Sequence, residues 1–450
     1  MSETCPVRLH THRGDFPRSE GNVMRHFDRR AFLALTGVGA MGASALLSGC
    51  GGSRSGSALR YAWWGNTVRQ QTYTRALEEF QEANPDITID PEFAEYTAFQ
   101  ERMTTQMAAR NVADIFWVAS PQVMTYEANG LYRKLDDIPT LDLSDFADED
   151  IASFSLGGEL VTMPHGVFVP VVRHNETFLE EEGGEMPGED WTWDDLAEFL
   201  VDYSAGNAAG RKGASYTPDQ DMGFEAWLRQ RGQDLWTEDG TVGFDAEALG
   251  DWFEWWRKLL DEGAVLSLGE QEGMQPDFST IGDSVLLNFG SSNHIIDEAT
   301  MFPEWKYRLR SVPVGDDAAD GHRFLYYPRL AVYQGIDDDK VEAAGRLIDF
   351  SVNNADFLRT VGLTMGAPPN PRVLAESYEF ASEDETEMLT VVEADRAEEQ
   401  RPRYEAPPGT GTWREALSRA SENVALGNGA VSEVAESLIA EIQAGIDQGA

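Results

Sequence analysis

Apolar and polar positions follow two alternating periods along the first part of the chain. A short apolar run over residues 59–63 predicts a strand. Residues 68–83 predict a helix, because their apolar positions recur every three or four residues, at Tyr73, Ala76, Leu77 and Phe80. A strand over 87–89, a helix over 97–109 and a buried strand over 114–118 follow. This strand–helix–strand–helix–strand order predicts a mainly parallel sheet covered by helices.

The same alternation continues through the rest of the chain with different sequence. Strands are predicted within 158–172 and over 285–289, and helices over 193–203, 252–260, 341–351 and 430–446. Residues 309–314 and 331–333 are expected to form strands that return to the first sheet. Residues 376–403 are rich in acids, and we expect a solvated helix and loop there. The stripe of Trp252, Trp255 and Trp256 is expected to lie in the core.

The N-terminal segment has the pattern of an export signal. Arg29 and Arg30 stand before seventeen uncharged residues, 31–47, and resemble a twin-arginine signal. Small residues then precede Cys50, as in a lipoprotein box, so we expect Cys50 to be acylated and to become the first mature residue. An uncleaved transmembrane anchor is the alternative. Within the expected signal of residues 1–49, residues 1–23 are interpreted as a start-site artefact; residues 50–57 would form a flexible tether.

Composition narrows the class of partner. The chain has 450 residues, of which 42% are hydrophobic, and 78 acids against 35 bases give a net charge of −43. Such a charge repels nucleic acid and anionic lipid surfaces, so we expect no nucleic-acid partner. The cysteines are Cys5 and Cys50, which leaves no disulfide in the mature chain. Many acids with few lysines are typical of proteins from salt-tolerant organisms.

Several short motifs, in order, resemble those of extracellular solute-binding proteins of ABC importers, in carbohydrate-binding family 1. They are Trp63-Trp64-Gly65, Phe80 followed by Asn84-Pro85-Asp86-Ile87, Thr105-Gln106-Met107-Ala108, Ala113-Asp114-Ile115, Gly130-Leu131-Tyr132, Trp191-Thr192-Trp193-Asp194-Asp195-Leu196 and Gly282-Asp283-Ser284-Val285. Each motif is weak alone, and the resemblance rests on their order and spacing across residues 58–450. Ala113 departs from the family pattern, in which proline is usual before the aspartate.

The resemblance implies a fold, a function and a location. The fold would be α/β with two lobes, a hinge and a central ligand cleft. Lobe one would comprise 58–167 plus 305–350, and lobe two 168–304 plus 351–450. The protein would capture a sugar or oligosaccharide and deliver it to the membrane permease of an ABC transporter. It would be lipid-anchored on the outer face of the cytoplasmic membrane, act as a monomer without a cofactor, and catalyse no reaction.

Candidate ligand-binding residues are chosen at expected strand ends and crossings. A sugar ring offers an apolar face to aromatic side chains and a polar edge to hydrogen-bonding groups. In open parallel sheets, ligands bind beyond the carboxyl ends of the strands. The candidates are Trp63, Trp64, Asn66, Arg69, Trp117, Ser120, His165, Phe168, Trp236, Asn288, Ser291, Tyr326, Tyr327 and Met365. Of the adjacent tryptophans, we expect one to face the core and the other the cleft.

Other functions remain open on the sequence. A secreted carbohydrate-active enzyme would need a pair of carboxylates, and among 78 acids no local motif marks one. We expect no metal site, because His165, His174, His294 and His322 do not show a ligand spacing. A surface adhesion lipoprotein is a further alternative. So is a binding protein for a peptide or polyamine, although a polyamine would call for acids rather than tryptophans in the cleft.

Overall fold

Two five-stranded sheets organise the protein, in which the computed structural model describes residues 58–274 and 280–449. The strands within these ranges are β1 (Ala58–Trp64), β2 (Thr88–Ala94), β3 (Ile115–Val118), β4 (Thr162–Pro164), β5 (Pro170–Asn175), β6 (Lys212–Ser215), β7 (Val265–Leu266), β8 (Val285–Ser291), β9 (Tyr307–Ser311) and β10 (Arg329–Val332). The first sheet has the order β2-β1-β3-β10-β4, and the second the order β7-β6-β8-β5-β9.

Helices cover both sheets. The helices of the described residues are α1 (Thr67–Ala83), α2 (Tyr96–Ala108), α3 (Val123–Ala128), α4 (Asp148–Phe154), α5 (Glu176–Glu182), α6 (Trp193–Gly206), α7 (Asp221–Gln230), α8 (Ala246–Asp261), α9 (Leu268–Gln271), α10 (His294–Met301), α11 (Val341–Asn353), α12 (Ala355–Val361), α13 (Pro371–Ser377), α14 (Glu383–Ala397), α15 (Trp413–Leu426) and α16 (Val431–Gly449). None of them is long and apolar enough to cross a bilayer.

The strand pairing explains the predicted α/β character. β1 pairs in parallel with β2 and β3, and β6 pairs in parallel with β7 and β8. All residues of β3 and β8 are buried, which accounts for the continuous apolar sequence of β3 and of the first three residues of β8. β10 and β5 are antiparallel to their neighbours. The two-lobed α/β fold predicted from the sequence is therefore confirmed.

Local signals in the sequence set the ends of the best-predicted helices. The Asn66 side chain accepts a hydrogen bond from the backbone N–H of Arg69 at 2.9 Å and so caps α1. Thr192 and Asp195 form a capping box at the start of α6. The Trp252, Trp255 and Trp256 stripe of α8 is buried, which confirms its assignment to the core.

Two parts of the predicted lobe boundaries are wrong. β9 pairs with β5 in the second sheet, from Val171 beside Ser311 to Asn175 beside Tyr307, so residues 307–311 do not return to the first sheet. α12 packs against α1, with the Phe357 ring 5.6 Å from that of Tyr73, and so belongs with lobe one. The sequence identifies these elements but carries no signal for the sheet or helix that each one contacts.

The acidic segment 376–403 also differs from its prediction as a solvated surface. Within it, α14 buries Met388, Leu389 and Val392 against the core, and its contacts are to β9 and α10. Its acids are not confined to the solvent side, because Asp395 is buried and Glu387 accepts from the Leu309 backbone at 2.6 Å. The acid-rich composition of this segment therefore does not make it a purely solvated surface.

Three segments lie side by side where the chain passes between the lobes. Phe168 and Tyr326 exchange backbone hydrogen bonds of 3.1 and 2.9 Å, and Val167 and Ala367 exchange bonds of 2.8 and 2.7 Å. The approach is so close that a Cβ on Gly366, whose φ is +100°, would lie 2.2 Å from the Val167 carbonyl oxygen. Residues 165–169, 325–328 and 363–367 therefore form one packed hinge.

Candidate functional site

A cavity of about 570 Å³ lies between the two sheets. It opens beyond the carboxyl ends of β1, β3, β6 and β8, where the lining includes Trp64, Ala119, Thr217 and Ser291. Loops that follow parallel strands meet at such an edge, so the topology itself brings residues distant in sequence into one cleft. The hinge segments form its floor.

The wall formed by lobe one is aromatic. Trp64 is half-buried and its ring lies 5.7 Å from that of Tyr96 in an edge-on arrangement, with both side chains lining the cavity. Trp117 lies behind Trp64 at 5.0 Å and donates its Nε1–H to the Tyr61 hydroxyl at 2.9 Å. The buried layer therefore holds the Trp64 ring in place while leaving part of it open to the cavity.

The hinge supplies the floor of the cavity. The rings of Phe168 and Tyr326 stack at 5.6 Å with an interplanar angle of 8°. The Tyr326 hydroxyl donates to the buried Glu225, which also accepts from Arg403 at 2.7 Å. Pro328 and Met365 complete this surface. The floor presents an apolar surface to the cavity. Its phenol group, on Tyr326, already has Glu225 as a hydrogen-bond partner beneath the floor.

The wall formed by lobe two is polar. Its lining residues are Thr217, Asp219, Gln220, Asp221, Met222, Ser291, Asn293, His294, Asp297 and Arg414. Asp221 accepts from Arg414 Nε at 2.9 Å. Burial raises the pKa of Asp219 and that of Asp297. The cleft thus places an aromatic wall opposite a wall of hydrogen-bonding side chains.

Hydrogen bonds also connect the two walls at the edges of the cavity. Asn293 of lobe two donates to the Thr364 carbonyl at 2.7 Å, and Arg69 donates to the same carbonyl at 3.3 Å. Asn66 approaches Asp297 with a nitrogen–oxygen distance of 3.5 Å. On another side, the Ser120 hydroxyl donates to Glu405 at 2.9 Å. These contacts hold the lobes together around the cavity.

Half of the predicted ligand-binding residues line this cavity. They are Trp64, Arg69, Ser120, Phe168, Ser291, Tyr326 and Met365. Six of them come from strand ends or hinge segments, as the sequence predicts, and Arg69 lies in the first turn of α1. Of the tryptophan pair, Trp64 faces the cleft and Trp63 is buried at 1% exposure, in contact with Tyr73.

The other predicted site residues lie outside the cavity lining. Trp117 and His165 form the buried layer beneath it, with their rings 4.5 Å apart, and Asn66 lies at the rim as the cap of α1. Trp236 packs edge-on against Trp413 at 5.6 Å in the core of lobe two. Asn288 is buried in the second sheet, where it accepts from the Ser215 backbone at 3.0 Å. Tyr327 packs against Phe154 of lobe one at 5.5 Å.

For the predicted residues on or beside strands, one physical reason explains why they lie outside the cavity lining. Neighbouring residues on a strand point to opposite faces of the sheet, and sequence alone does not say which face meets the cleft. Trp236 forms an isolated antiparallel bridge with Val242, and its large apolar ring packs in the core against Trp413. Cys50, Arg29 and Arg30, the residues predicted for lipidation and export, lie outside the described residues.

Most of the polar wall is absent from the sequence prediction. Thr217, Asp219, Gln220 and Asp221 follow β6, a strand of four residues that lacks alternation of apolar and polar positions. Asn293, His294 and Asp297 come directly after Ser291 and could have been found by continuing along the chain from β8. Tyr96 and Arg414 stand at the starts of helices and carry no sequence signal for the cleft.

The side chains of the cleft are of the kinds that recognise a solute. In residues 58–274 and 280–449, no group of three or more His, Cys, Asp or Glu side chains is placed to hold a metal ion. Burial, with smaller contributions from Arg173 and Arg69, lowers the pKa of His294. Burial similarly lowers the pKa of His165 to about 3. The cleft combines aromatic surface with hydrogen-bonding groups and two arginines.

Solved structures with the same fold extend over nearly the whole chain. A periplasmic solute-binding protein of Pectobacterium atrosepticum has a TM-score of 0.76 and 18% identity, covering 87% of this chain and 99% of its own. A periplasmic oligogalacturonide-binding protein of Yersinia enterocolitica, in complex with saturated digalacturonic acid, gives the same values. The GacH receptor of Streptomyces glaucescens, whose structures include a complex with acarbose, has a TM-score of 0.71 and 19% identity over 87% and 99% of the two chains.

Sequence comparison leads to the same group of proteins. A relative from Brucella abortus is 21% identical over 286 residues, which is 62% of this chain and 67% of its own. The model of the bacterial extracellular solute-binding protein family matches residues 75–388, well over half of the chain. That range includes the hinge and all strands of both sheets except β1. The chain belongs to the family of bacterial extracellular solute-binding proteins.

Proposed function

We propose that this protein captures a sugar or oligosaccharide in the cleft between its lobes and delivers it to the permease of an ABC transporter. The observation that carries the proposal is the pairing of aromatic and polar walls around one cavity of about 570 Å³. Sugar rings have an apolar face and a hydroxyl-bearing edge, and they need both kinds of wall. The volume lies within the usual range for a small-molecule site.

The positions of the walls support capture by closure. The aromatic surface of Trp64 and Tyr96 comes from lobe one, whereas Asp219, Asn293 and Asp297 come from lobe two. A sugar that touches both walls binds more tightly when the lobes are closed, and it therefore favours the closed form by that difference in affinity. Oligosaccharide ligands named for structures of the same fold agree with this proposal.

The protein acts in this proposal as a binding protein rather than an enzyme. Release to the permease needs no bond to be broken in the solute, and the partner subunits of the transporter hydrolyse ATP. The protein itself then needs no cofactor and works as a monomer. A secreted carbohydrate-active enzyme is the alternative that predicts turnover of the bound sugar.

We also propose that the protein is held at the outer face of the cytoplasmic membrane by a lipid on Cys50. The support is the sequence pattern of Arg29, Arg30, the uncharged run and the small residues before the cysteine. Cys50→Ser is expected to release the protein from the membrane fraction. Continued retention of the variant in membranes would favour an uncleaved anchor instead.

The capture proposal is tested by thermal unfolding of the purified protein against a panel of solutes. The panel contains mono- and oligosaccharides, with peptides, amino acids and polyamines as comparisons. A sugar at about 100 times its dissociation constant should add about 2.7 kcal/mol to the free energy of unfolding. Chromatography of the mixture after incubation should recover the sugar unchanged.

A matched pair of variants ties the effect to the cleft. Trp64→Ala removes an aromatic wall of the cavity, whereas Tyr378→Ala removes an aromatic ring of 40% exposure elsewhere. The first should abolish most of the sugar-induced shift and the second should preserve it. Stabilisation by a peptide or a polyamine alone would disprove sugar capture, and breakdown of the sugar would favour the enzyme.

A further inference from the structure

The wall of lobe two presents two carboxylates, those of Asp219 and Asp297, to the cavity. Asp219 comes from the loop after β6, and Asp297 from the first turn of α10. Within the described parts of the chain, neither forms an ion pair with a lysine or arginine side chain. The nearby Ser418 lowers the pKa of Asp219 against the effect of burial, and Asp297 has the long approach of Asn66 at 3.5 Å. Both are therefore available to a bound solute.

Two polar atoms near these carboxylates also lack partners in the protein. The Thr217 side chain is 4% exposed and that of Asn293 is 5% exposed, and both residues line the cavity. The Thr217 hydroxyl and the Asn293 carbonyl oxygen Oδ1 have no hydrogen-bond partner among the described residues. Buried polar atoms are almost always satisfied in native proteins. The amide oxygen of Asn293 can only accept, so the partner that it lacks is a donor.

The cationic side chains of the cavity are already engaged. Arg414 directs both Nε and Nη2 to Asp221. Arg69 donates to the hydroxyl and the carbonyl of Thr364, at 3.4 and 3.3 Å. His294 is neutral at pH 7 because of its lowered pKa. With two arginines against three aspartates, the cavity carries a net charge of about −1 at pH 7.

We infer that the solute is an amino sugar, and that Asp219 and Asp297 select its protonated amine over an uncharged or carboxylated sugar. This inference rests on the proposed capture of a sugar. A protonated amine has three donors and no acceptor, which matches a wall of two carboxylates and an unpartnered amide oxygen. A uronate would place its own carboxylate against these acceptors and be repelled.

Two further features of the site agree with a cationic solute. Burial raises the pKa of both aspartates, because each carboxylate loses water, and for Asp297 the nearby Arg69 and Arg173 offset only part of that rise. A cation bound nearby offsets that cost. The half-exposed rings of Trp64 and Tyr96 also attract a positive charge through their faces.

The experiment measures binding of three disaccharides that differ in one substituent. Glucose, glucosamine and glucuronate disaccharides are compared in both α-1,4 and β-1,4 linkage, by isothermal titration of the purified protein. A pH of about 6 keeps such an amine protonated and a uronate ionised. We expect the glucosamine disaccharide to bind at least about 10-fold more tightly than the glucose disaccharide, a difference of about 1.4 kcal/mol. The glucuronate disaccharide should bind most weakly.

Asparagine variants test the assigned residues. Asp219→Asn and Asp297→Asn keep the shape of the side chain and remove its charge. Each should lower the ratio of glucosamine to glucuronate affinity by about 10-fold, the effect of about 1.4 kcal/mol. Asp251→Asn is the control, because it removes the same charge from an exposed position on α8 of the same lobe. The control should leave the ratio unchanged.

The possible failures are distinguishable. Equal affinity for the three sugars, or tightest binding of glucuronate, would overturn the amino-sugar assignment while leaving sugar capture intact. An affinity ratio that both asparagine variants leave unchanged would overturn the role of the two aspartates. If no sugar of any charge binds and spermidine does, the proposed capture of sugars fails, and the amino-sugar inference fails with it.

Discussion

At the scale of single residues, the adjacent Trp63 and Trp64 show how one strand serves both core and cleft. Trp63 is 1% exposed and lies beside Tyr61, Tyr73 and Phe93, whereas Trp64 lines the cavity. Trp64→Ala should weaken solute binding by at least about 10-fold, or about 1.4 kcal/mol. Trp63→Ala should instead lower the free energy of unfolding by about 3–5 kcal/mol. Titration calorimetry and urea unfolding separate the two effects.

Where Trp63→Ala fails to fold, Trp63→Phe replaces it. A larger loss of affinity in that variant than in Trp64→Ala would contradict the assignment of Trp63 to the core and Trp64 to the cleft.

A second prediction at this scale concerns the buried imidazole under Trp117. Burial, with a smaller contribution from Arg69, lowers the pKa of His165 from 6.5 to about 3. The unfolded chain therefore binds the proton first as the pH falls. The stability that the neutral imidazole contributes is complete above pH 6.5 and is lost progressively between pH 6.5 and about 3.

The variant His165→Gln removes this titration. As the pH falls from 6.5 to about 5, both proteins lose stability. The loss in free energy of unfolding should be smaller in the variant than in the parent protein, by up to about 2 kcal/mol. Urea unfolding at each pH measures the difference, and values at about pH 8 correct for the substitution itself. Parallel pH profiles of variant and parent would show that His165 does not contribute to acid sensitivity.

At the scale of elements, the segment 401–405 joins the two lobes through buried charges. Arg403 donates to Glu225 of α7, while Glu405 accepts from Arg329 of β10 at 3.1 Å and from Ser120 at 2.9 Å. Burial disfavours the charge of Glu405, but Arg403 and Arg329 hold its pKa below the usual range. The segment therefore contacts lobe two through Arg403 and lobe one through Glu405.

The variant Glu405→Gln should lower the free energy of unfolding by about 3 kcal/mol, because it leaves the buried Arg329 without its carboxylate partner. Glu441→Gln is the matched control. Its carboxylate is 54% exposed and pairs with Arg419 on the surface of lobe two. The control should change stability by no more than about 0.5 kcal/mol. Equal effects of the two substitutions would contradict the structural role assigned to the segment.

Elements also show which features the sequence could predict. β1, α1 and β3 have strong periodicity and clear ends, and the structure has them close to the predicted residues. β6 was missed because its four residues, Lys-Gly-Ala-Ser, show neither a helical nor a strand pattern. Gly213 is required there by packing, since a Cβ would lie 2.6 Å from Leu200 Cδ2. Because β6 is not predicted, the polar wall from Thr217 to Asp221, which follows it, is not predicted either.

The lobe assignments of β9 and α12 depend on long-range contacts, which no local pattern encodes.

At the scale of the whole molecule, the acidic excess acts on stability as well as solubility. The chain has 78 acids against 35 bases, and only five of the bases are lysines. Like charges on the compact form repel one another over about 10 Å at 0.1 M salt and over about 3 Å at 1 M. The expanded unfolded chain separates these charges, so low salt favours unfolding.

The last prediction follows from that repulsion. Raising KCl from about 0.1 M to about 1 M should increase the urea midpoint of unfolding without a change in its slope. Screening of repulsion is nearly complete by about 1 M salt, so the gain should level off there. A continued linear rise at higher KCl would instead indicate exclusion of salt from the surface. Sucrose serves as an uncharged control, because it strengthens burial without screening charge. If KCl lowers the midpoint over this range, attraction within exposed ion pairs such as Arg419 with Glu441 outweighs repulsion among the surface acids, and the acidic excess has no destabilising effect that salt can relieve.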